Sequence, residues 1–283
     1  MKINIPLGVP KNQIKNYQDN FKKATHNTGR LFLFAGDQKI EHLNDDFALK
    51  LGFGNSEVEH LFKIASQSPI GVFAAHLGLI SRYGKQYNKI PYLVKLNGKS
   101  NLVTSQDPLS LALWSVDDVI KFKKDSGLKI LGIGYTIYLG SEYENQMMKE
   151  AAQIIKEAHQ NGLLTVLWVY PRGKNIKNEK SIDLLAGAAG LANCLGADFA
   201  KLNYPFDAST NSAKKFKEVT IAGGNTGIIC AGGKKIDEKS FLQMTKNQIK
   251  LAETKGIAIG RNLHQKDLKA AISFARKLKI ALD

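Results

Sequence analysis

Short apolar runs recur along the chain, separated by longer stretches in which apolar residues return every three or four positions. The runs are LFLFAG (31–36), IGVFAA (70–75), PYLVKLN (91–97), KILGIGY (129–135), LLTVLWVY (163–170), ADFAKLN (197–203), TGIICAG (226–232) and GIAIG (256–260). Most are apolar without a break, the pattern of strands covered on both faces, as in a parallel sheet. The segments between them read as helices. GNSEVEHLFKIASQSP carries Ser56 and Glu59 at capping-box spacing and sets Val58, Leu61, Phe62 and Ala65 on one side. SVDDVIKFKKDSG starts on Ser115 and stops at Gly127, and ENQMMKEAAQIIKEAHQNG aligns Met148, Ala151, Ile155 and Ala158 before Gly162. SIDLLAGAAGLANCLG closes on Gly196, EKSFLQMTKNQIKLAETKG precedes the eighth run, and HQKDLKAAISFARKLKIALD is an amphipathic C-terminal helix.

Eight strands alternating with helices over about 250 residues predict a single-domain (β/α)8 TIM barrel, an α/β fold. A doubly wound sheet would carry a glycine-rich dinucleotide loop after its first strand, where this chain has AGDQKIEH. No linker rich in Pro, Gly or Ser divides the sequence. The expected organisation is therefore an N-terminal extension, residues 1–30, helical and packed on the outside or bottom of a barrel formed by residues 31–283.

Composition narrows the setting. Hydrophobic residues make up 43% and charged residues 23%, ordinary for a globular protein. The longest apolar runs are far too short to cross a membrane, and the N-terminus lacks a signal-peptide core, so the expected location is cytoplasmic. Cys194 and Cys230 supply neither a disulfide framework nor a metal cluster. A net charge of +15 is compatible with nucleic acid, an anionic surface or small anionic substrates. The lysines are dispersed over helix faces without a nucleic-acid-binding signature, so the expected partners are small anions, with neither nucleic acid nor membrane.

In a barrel, chemistry gathers where strands end and the following loops begin. Those ends carry Asp37, Lys95, Asn97, Tyr135, Trp168, Tyr170, Arg172, Lys201 and Asn203, then Gly232-Gly233-Lys234-Lys235 and Gly260-Arg261-Asn262. Strand parity puts Lys201 on the inward face of ADFAKLNYP, with Ala200 and Leu202 turned toward the helices. Desolvation lowers a lysine's pKa, and a neutral amine attacks carbonyls. Lys95 or Arg172 would strengthen the effect as a second cation. Asp37 would pair with Lys201 or accept a proton. Spacing leaves three alternatives open: a lysine satisfied by Asp37 at the rim, Lys95 in place of Lys201, and Trp168 with Tyr170 as core aromatics. The polar stretch Asp37–His42 reads equally well as a solvated loop.

The glycine pairs after strands seven and eight let backbone approach an anion, and Lys235 and Arg261 add charge, the arrangement of a phosphate site. A zinc enzyme would need about three ligands. His42, His76 and His264 are the candidates, and only His76 closely follows a strand.

Taken together, the strand-six lysine in ADFAKLNYP, LWVYPRG, the aspartate after strand one, CAGGKK and GIAIGRNLHQ resemble the archaeal-type class I fructose-bisphosphate aldolases, the DhnA-like family, from Leu31 to about Gln265. The resemblance implies reversible cleavage of fructose 1,6-bisphosphate to dihydroxyacetone phosphate and glyceraldehyde 3-phosphate through a lysine imine, with no cofactor and no metal. It implies Lys201 as nucleophile, Tyr170 as the residue that moves the proton, and Asp37 as the acid beside the lysine. Trp168 and Arg172 would flank the substrate, and Gly232, Gly233, Lys235, Gly260 and Arg261 would hold phosphate. It also implies a glycolytic or gluconeogenic enzyme that forms a homo-oligomer. The chain departs from the family in having Gln38-Lys39 where His-Gly is usual, and Lys234 where proline is usual. Related lysine-dependent barrels, an aminodideoxyheptulosonate synthase or a sugar-phosphate thiolase, share these motifs and form the alternative.

Overall fold

The computed structural model describes residues 3–48, 56–102, 105–205 and 209–283. Eight parallel strands close into a barrel in sequence order: β1 Leu31–Ala35, β2 Val72–His76, β3 Tyr92–Lys95, β4 Ile130–Leu139, β5 Leu164–Pro171, β6 Phe199–Leu202, β7 Gly227–Ala231 and β8 Gly256–Ile259. β8 pairs back onto β1 and completes the closure, leaving no free edge. The predicted (β/α)8 architecture is the observed one.

The helices are α1 Ile14–Ala24, α2 Gln38–His42, α3 Val58–Gln67, α4 Leu77–Tyr83, α5 Val116–Ser126, α6 Glu144–Gln160, α7 Ile182–Leu195, α8 Thr210–Ala222, α9 Glu238–Lys250, α10 Arg261–His264 and α11 Leu268–Leu282. Local chemistry accounts for several boundaries. Ser115 and Asp118 form a reciprocal capping box at the start of α5, and Gly127 ends it in the left-handed conformation. Ser181, Asp237 and Asp267 cap α7, α9 and α11 with their side chains. The expected Ser56–Glu59 box at α3 does not form: Glu57 occupies the N-cap position without a side-chain bond. Glu59 instead accepts a hydrogen bond from the Tyr87 hydroxyl (2.8 Å) and pairs with Lys63. β4 also runs past its expected end at Tyr135 to Leu139, because Thr136–Leu139 continue the ladder with Trp168–Pro171. Tyr135 faces the helix layer, where its hydroxyl donates to Glu150 of α6 (2.5 Å).

Side-chain alternation divides the apolar core into two layers. Leu31, Leu33, Val72, Ala74, Leu93, Leu164, Val166, Trp168, Phe199, Ile229 and Ala258 fill the barrel interior. Phe32, Phe34, Phe73, Tyr92, Val94, Ala200 and Leu202 pack outward against the helices. This parity turns Lys95 and Lys201 inward, in step with Leu93 and Phe199.

At the amino-terminal end of the strands, α1 lies against the barrel. Phe21 stacks on Phe199 with ring centroids 5.6 Å apart, and Asn20 donates to the Gly162 carbonyl (2.8 Å). The buried Asp198 carboxylate is the hub here. It accepts from the Tyr17 hydroxyl (2.5 Å), His159 Nε2 (3.1 Å), and the Thr165 backbone N–H (2.7 Å) and hydroxyl (3.0 Å). These bonds tie α1, α6, β5 and β6 together beneath the layer that bears Lys201.

Candidate active site

A cavity of about 240 Å³ opens at the carboxyl ends of the strands. Its walls include Asp37, Trp168, Tyr170, Arg172, Lys201, Gly232, Gly233, Gly260 and Arg261, contributed by β1, β5, β6, β7 and β8 or the loops after them. Nine of the ten site residues that the family resemblance implied therefore meet in one place. Lys235 is the exception: it is exposed, and its ammonium donates to the Gln265 carbonyl (2.9 Å) outside the cavity lining. A cation following a glycine pair need not turn inward: the chain after Gly233 carries Lys234 and Lys235 to the surface.

Lys201 is 5% exposed, and its ammonium nitrogen lies 5.1 Å from the centroid of the Trp168 ring. Among the described residues no carboxylate comes within ion-pairing distance of Nζ, and no hydrogen bond reaches it. The rim-satisfied alternative therefore fails, since Asp37 does not pair with Lys201. Burial holds the Lys201 pKa below the ordinary lysine value; the Asp37 and Glu41 charges oppose this, and Arg261 adds to it. Arg261 is thus an assisting cation that was not expected, and Lys95 and Lys201 also repel one another, which adds to the lowering at Lys95.

Lys95 is as deeply buried, and burial lowers its pKa to about 8. It differs from Lys201 in being used structurally. Its ammonium donates to the Asn97 carbonyl (2.8 Å) and side-chain oxygen (2.6 Å), and lies 5.4 Å from the Trp168 centroid. Asn97 in turn donates to the Ser110 and Thr136 carbonyls (2.8 and 2.9 Å), binding the β3 loop to β4. The indole that both lysines approach owes its place to Gly134 on β4. A Cβ there would lie 2.4 Å from Trp168 Cζ3, closer than packing permits.

Residues 37–42 are not the solvated loop that composition suggested. They form Asp37 and the short helix α2, whose turn sets Asp37 and Glu41, and Gln38 and His42, four residues apart and on the cavity wall. One oxygen of Asp37 is buried without a hydrogen-bond partner among the described residues. Glu41 accepts from the Tyr138 hydroxyl (3.0 Å), and its Oε1 is 3.9 Å from an Arg172 terminal nitrogen. Glu41 and Gln38 were missed, although the four-residue spacing of Asp37 and Glu41 was visible as a potential helical turn.

Tyr170 is shifted well above the ordinary phenol range, by burial first and then by the Glu41 and Asp37 charges. It therefore holds its proton at neutral pH. Arg172 is clamped by Glu179 through two hydrogen bonds (2.9 and 3.3 Å) and lies over the Tyr138 and Tyr170 rings. The three histidines weighed as metal ligands are separately engaged. His42 pairs with Asp46 (2.6 Å), His76 donates to the Lys95 carbonyl (3.1 Å), and His264 stacks on Phe47 and bonds Gln38 (3.1 Å). No cluster of three or more His, Cys, Asp or Glu suited to a metal occurs among the described residues.

A closed (β/α)8 barrel with a desolvated lysine at the end of its sixth strand defines the class of lysine-dependent barrel lyases. The DeoC/LacD aldolase family matches residues 31–266, and the chain belongs to that family. It is 54% identical over 271 residues to the fructose-bisphosphate aldolase/6-deoxy-5-ketofructose 1-phosphate synthase of Methanocaldococcus jannaschii, covering 95% of this chain and 87% of that protein. Among solved structures it resembles a fructose-bisphosphate aldolase from Slackia heliotrinireducens (TM-score 0.95, 44% identity, 99% of this chain and 90% of that one). It also resembles an archaeal fructose-1,6-bisphosphate aldolase whose catalytic lysine is covalently bound to the substrate's carbinolamine intermediate (TM-score 0.81, 30% identity, 94% and 99% covered).

Proposed function

We propose that the protein is a class I fructose-bisphosphate aldolase in which Lys201 forms the imine. The observation that carries this reading is the Lys201 ammonium, buried in the cavity and without a hydrogen-bonding or ionic partner among the described residues. The neutral amine adds to C2 of the ketose phosphate to give a carbinolamine, which loses water to become an iminium. As the C4 hydroxyl loses its proton, the C3–C4 bond breaks and its electron pair moves into the iminium, forming an enamine and releasing the aldehyde. Protonation at C3 and hydrolysis then return dihydroxyacetone phosphate and the free lysine. Tyr170 is the proton carrier. Because it stays a neutral phenol, it donates to the aldehyde oxygen during synthesis. During cleavage it accepts the C4 proton only as it passes its own toward Glu41 or Asp37, the carboxylates whose charges act on it.

The Trp168 indole forms one wall for the ketose, and the Gly232-Gly233 and Gly260-Arg261 loops receive its 1-phosphate. Borohydride reduction in the presence of dihydroxyacetone phosphate tests the assignment. It should add a stable mass to the peptide containing Lys201, and labelling on another residue would overturn it.

A second acceptor is supported by one contact. Arg172, a cation on the cavity wall, is already engaged by Glu179, which favours aldehydes without a phosphate of their own. The M. jannaschii relative's name includes a synthase whose product carries a single phosphate, at position 1. Comparing kcat/KM for phosphorylated and unphosphorylated aldehydes in the condensation direction distinguishes the two uses. The same reading places the enzyme in the cytoplasm, consistent with the unbridged Cys194 and Cys230, in hexose-bisphosphate interconversion. It also makes the protein a homo-oligomer, which sedimentation would test.

A further inference from the structure

Gly260 stands where backbone was expected to meet an anion directly, and the space above it is already taken. A Cβ on Gly260 would lie 2.5 Å from Gln38 Oε1 and 2.9 Å from both Cδ and Nε2. The Gln38 carboxamide therefore lies against the Gly260 backbone, in the space that a larger residue's Cβ would take. The same amide bonds His264, with Nε2 of the ring 3.1 Å from Gln38 Oε1. Burial depresses the His264 pKa to about 3, so the ring is neutral near pH 7 and carries a single N–H. With that hydrogen on Nε2, the ring donates to Oε1, and the hydrogens of the Gln38 NH2 group are left for the cavity. No hydrogen bond from this NH2 group occurs among the described residues.

The surroundings say what these hydrogens await. Gln38 lines the cavity beside Gly232, Gly233, Gly260 and Arg261. Arg261 Nε is buried and has no hydrogen-bond partner among the described residues, while Asp46 lies 3.7 Å from one of its terminal nitrogens. Two unused donors thus lie in one corner of the cavity, one neutral and one cationic. A ligand atom entering this corner has to be an acceptor, and a doubly charged oxyanion satisfies both donors at once.

We propose that Gln38 donates to the phosphate of the ketose substrate and determines the preference for a phosphorylated over an unphosphorylated ketone. The proposal rests on imine formation at Lys201. Gln38 serves as a donor positioned by His264 and seated on Gly260, which makes it specific in a way a bare glycine loop is not. A carboxylate at this position would repel phosphate, and an isosteric hydrocarbon would leave the oxyanion without this donor.

The test compares borohydride trapping on Lys201 by dihydroxyacetone phosphate and by dihydroxyacetone, read by intact mass and peptide mapping over a range of ketone concentrations. The measured quantity is the ratio of the two half-saturating concentrations, so that a general loss of folded or reactive protein cancels. The Gln38→Glu and Gln38→Leu variants should each lose at least about tenfold of the preference for the phosphorylated ketone, as expected for one lost hydrogen bond to a charged group. A ratio unchanged in both variants would overturn the proposal. If neither ketone labels Lys201 in the unsubstituted protein, the imine reading fails and the proposal with it.

Discussion

Lys201 and Lys95 approach the same indole, their ammonium nitrogens 5.1 and 5.4 Å from the Trp168 ring centroid. Both are buried and both carry depressed pKa values. Hydrogen bonding separates them, since Lys95 is held by two oxygens of Asn97. An amine that must attack a carbonyl needs a lone pair not engaged elsewhere, and among the described residues no hydrogen bond or ion pair holds Lys201.

This difference predicts separable effects. Lys201→Met should abolish borohydride labelling by dihydroxyacetone phosphate. Lys95→Met should retain it at Lys201 while lowering stability by roughly 1–3 kcal/mol, because the Asn97 oxygens lose their donor. Peptide mapping together with denaturant unfolding checks both; label on Lys95 would reverse the assignment.

The pH dependence follows from the sign of the shifts. The reactive species is the neutral amine, and Lys201 loses its proton below the ordinary value of 10.5. The trapping rate should therefore rise with pH and level off before that value. Glu41→Gln removes a charge that holds the proton on, so the midpoint should move to lower pH; Arg261→Gln should move it higher. For stability, a lysine with a depressed folded pKa binds fewer protons in the folded state than in the unfolded state. The Lys95 contribution should make stability rise between about pH 8 and 10.5, and Lys95→Met should flatten that rise in urea titrations.

Tyr170→Phe keeps the ring and removes the proton. Imine trapping with dihydroxyacetone phosphate should persist, while kcat for cleavage of fructose 1,6-bisphosphate falls by about 10²–10⁴-fold. An equal loss in both measurements would assign Tyr170 to binding instead.

Gly134→Ala tests how the indole is seated. The added methyl would meet Trp168 Cζ3 at 2.4 Å, so the ring has to move. The expected cost is about 1–3 kcal/mol in unfolding experiments, with a slower trapping rate at Lys201.

The opposite end of the barrel should respond in stability. Asp198→Ala leaves Tyr17, His159 and Thr165 without their shared acceptor. A loss of roughly 3–5 kcal/mol in chemical denaturation is expected, as for removal of one partner from a buried charged network.

Strand and helix identity were legible because they depend on local periodicity. Parity within ADFAKLNYP alone turned Lys201 inward, and the start residue Ser115 and the stop residues Gly127 and Gly196 matched helix ends. The Ser56–Glu59 motif misled because the cap competes with a tertiary partner, the Tyr87 hydroxyl, which takes Glu59. The reach of β4 was underestimated for a similar reason: its last residues are strand only because β5 lies alongside them.

The order of apolar and polar residues, by itself, determined the barrel, the inward lysine and most of the cavity wall, since alternation and strand order are properties of the chain. Tertiary structure decided which of two buried lysines is free, that Lys235 faces away, that Glu41 and Gln38 enter the site, and that Arg261 adds its charge to the pair of lysines. Those outcomes depend on hydrogen-bond partners and charges contributed by distant segments. The contact of Gln38 with Gly260 and His264, more than two hundred residues along the chain, exists only once β8 has closed against β1.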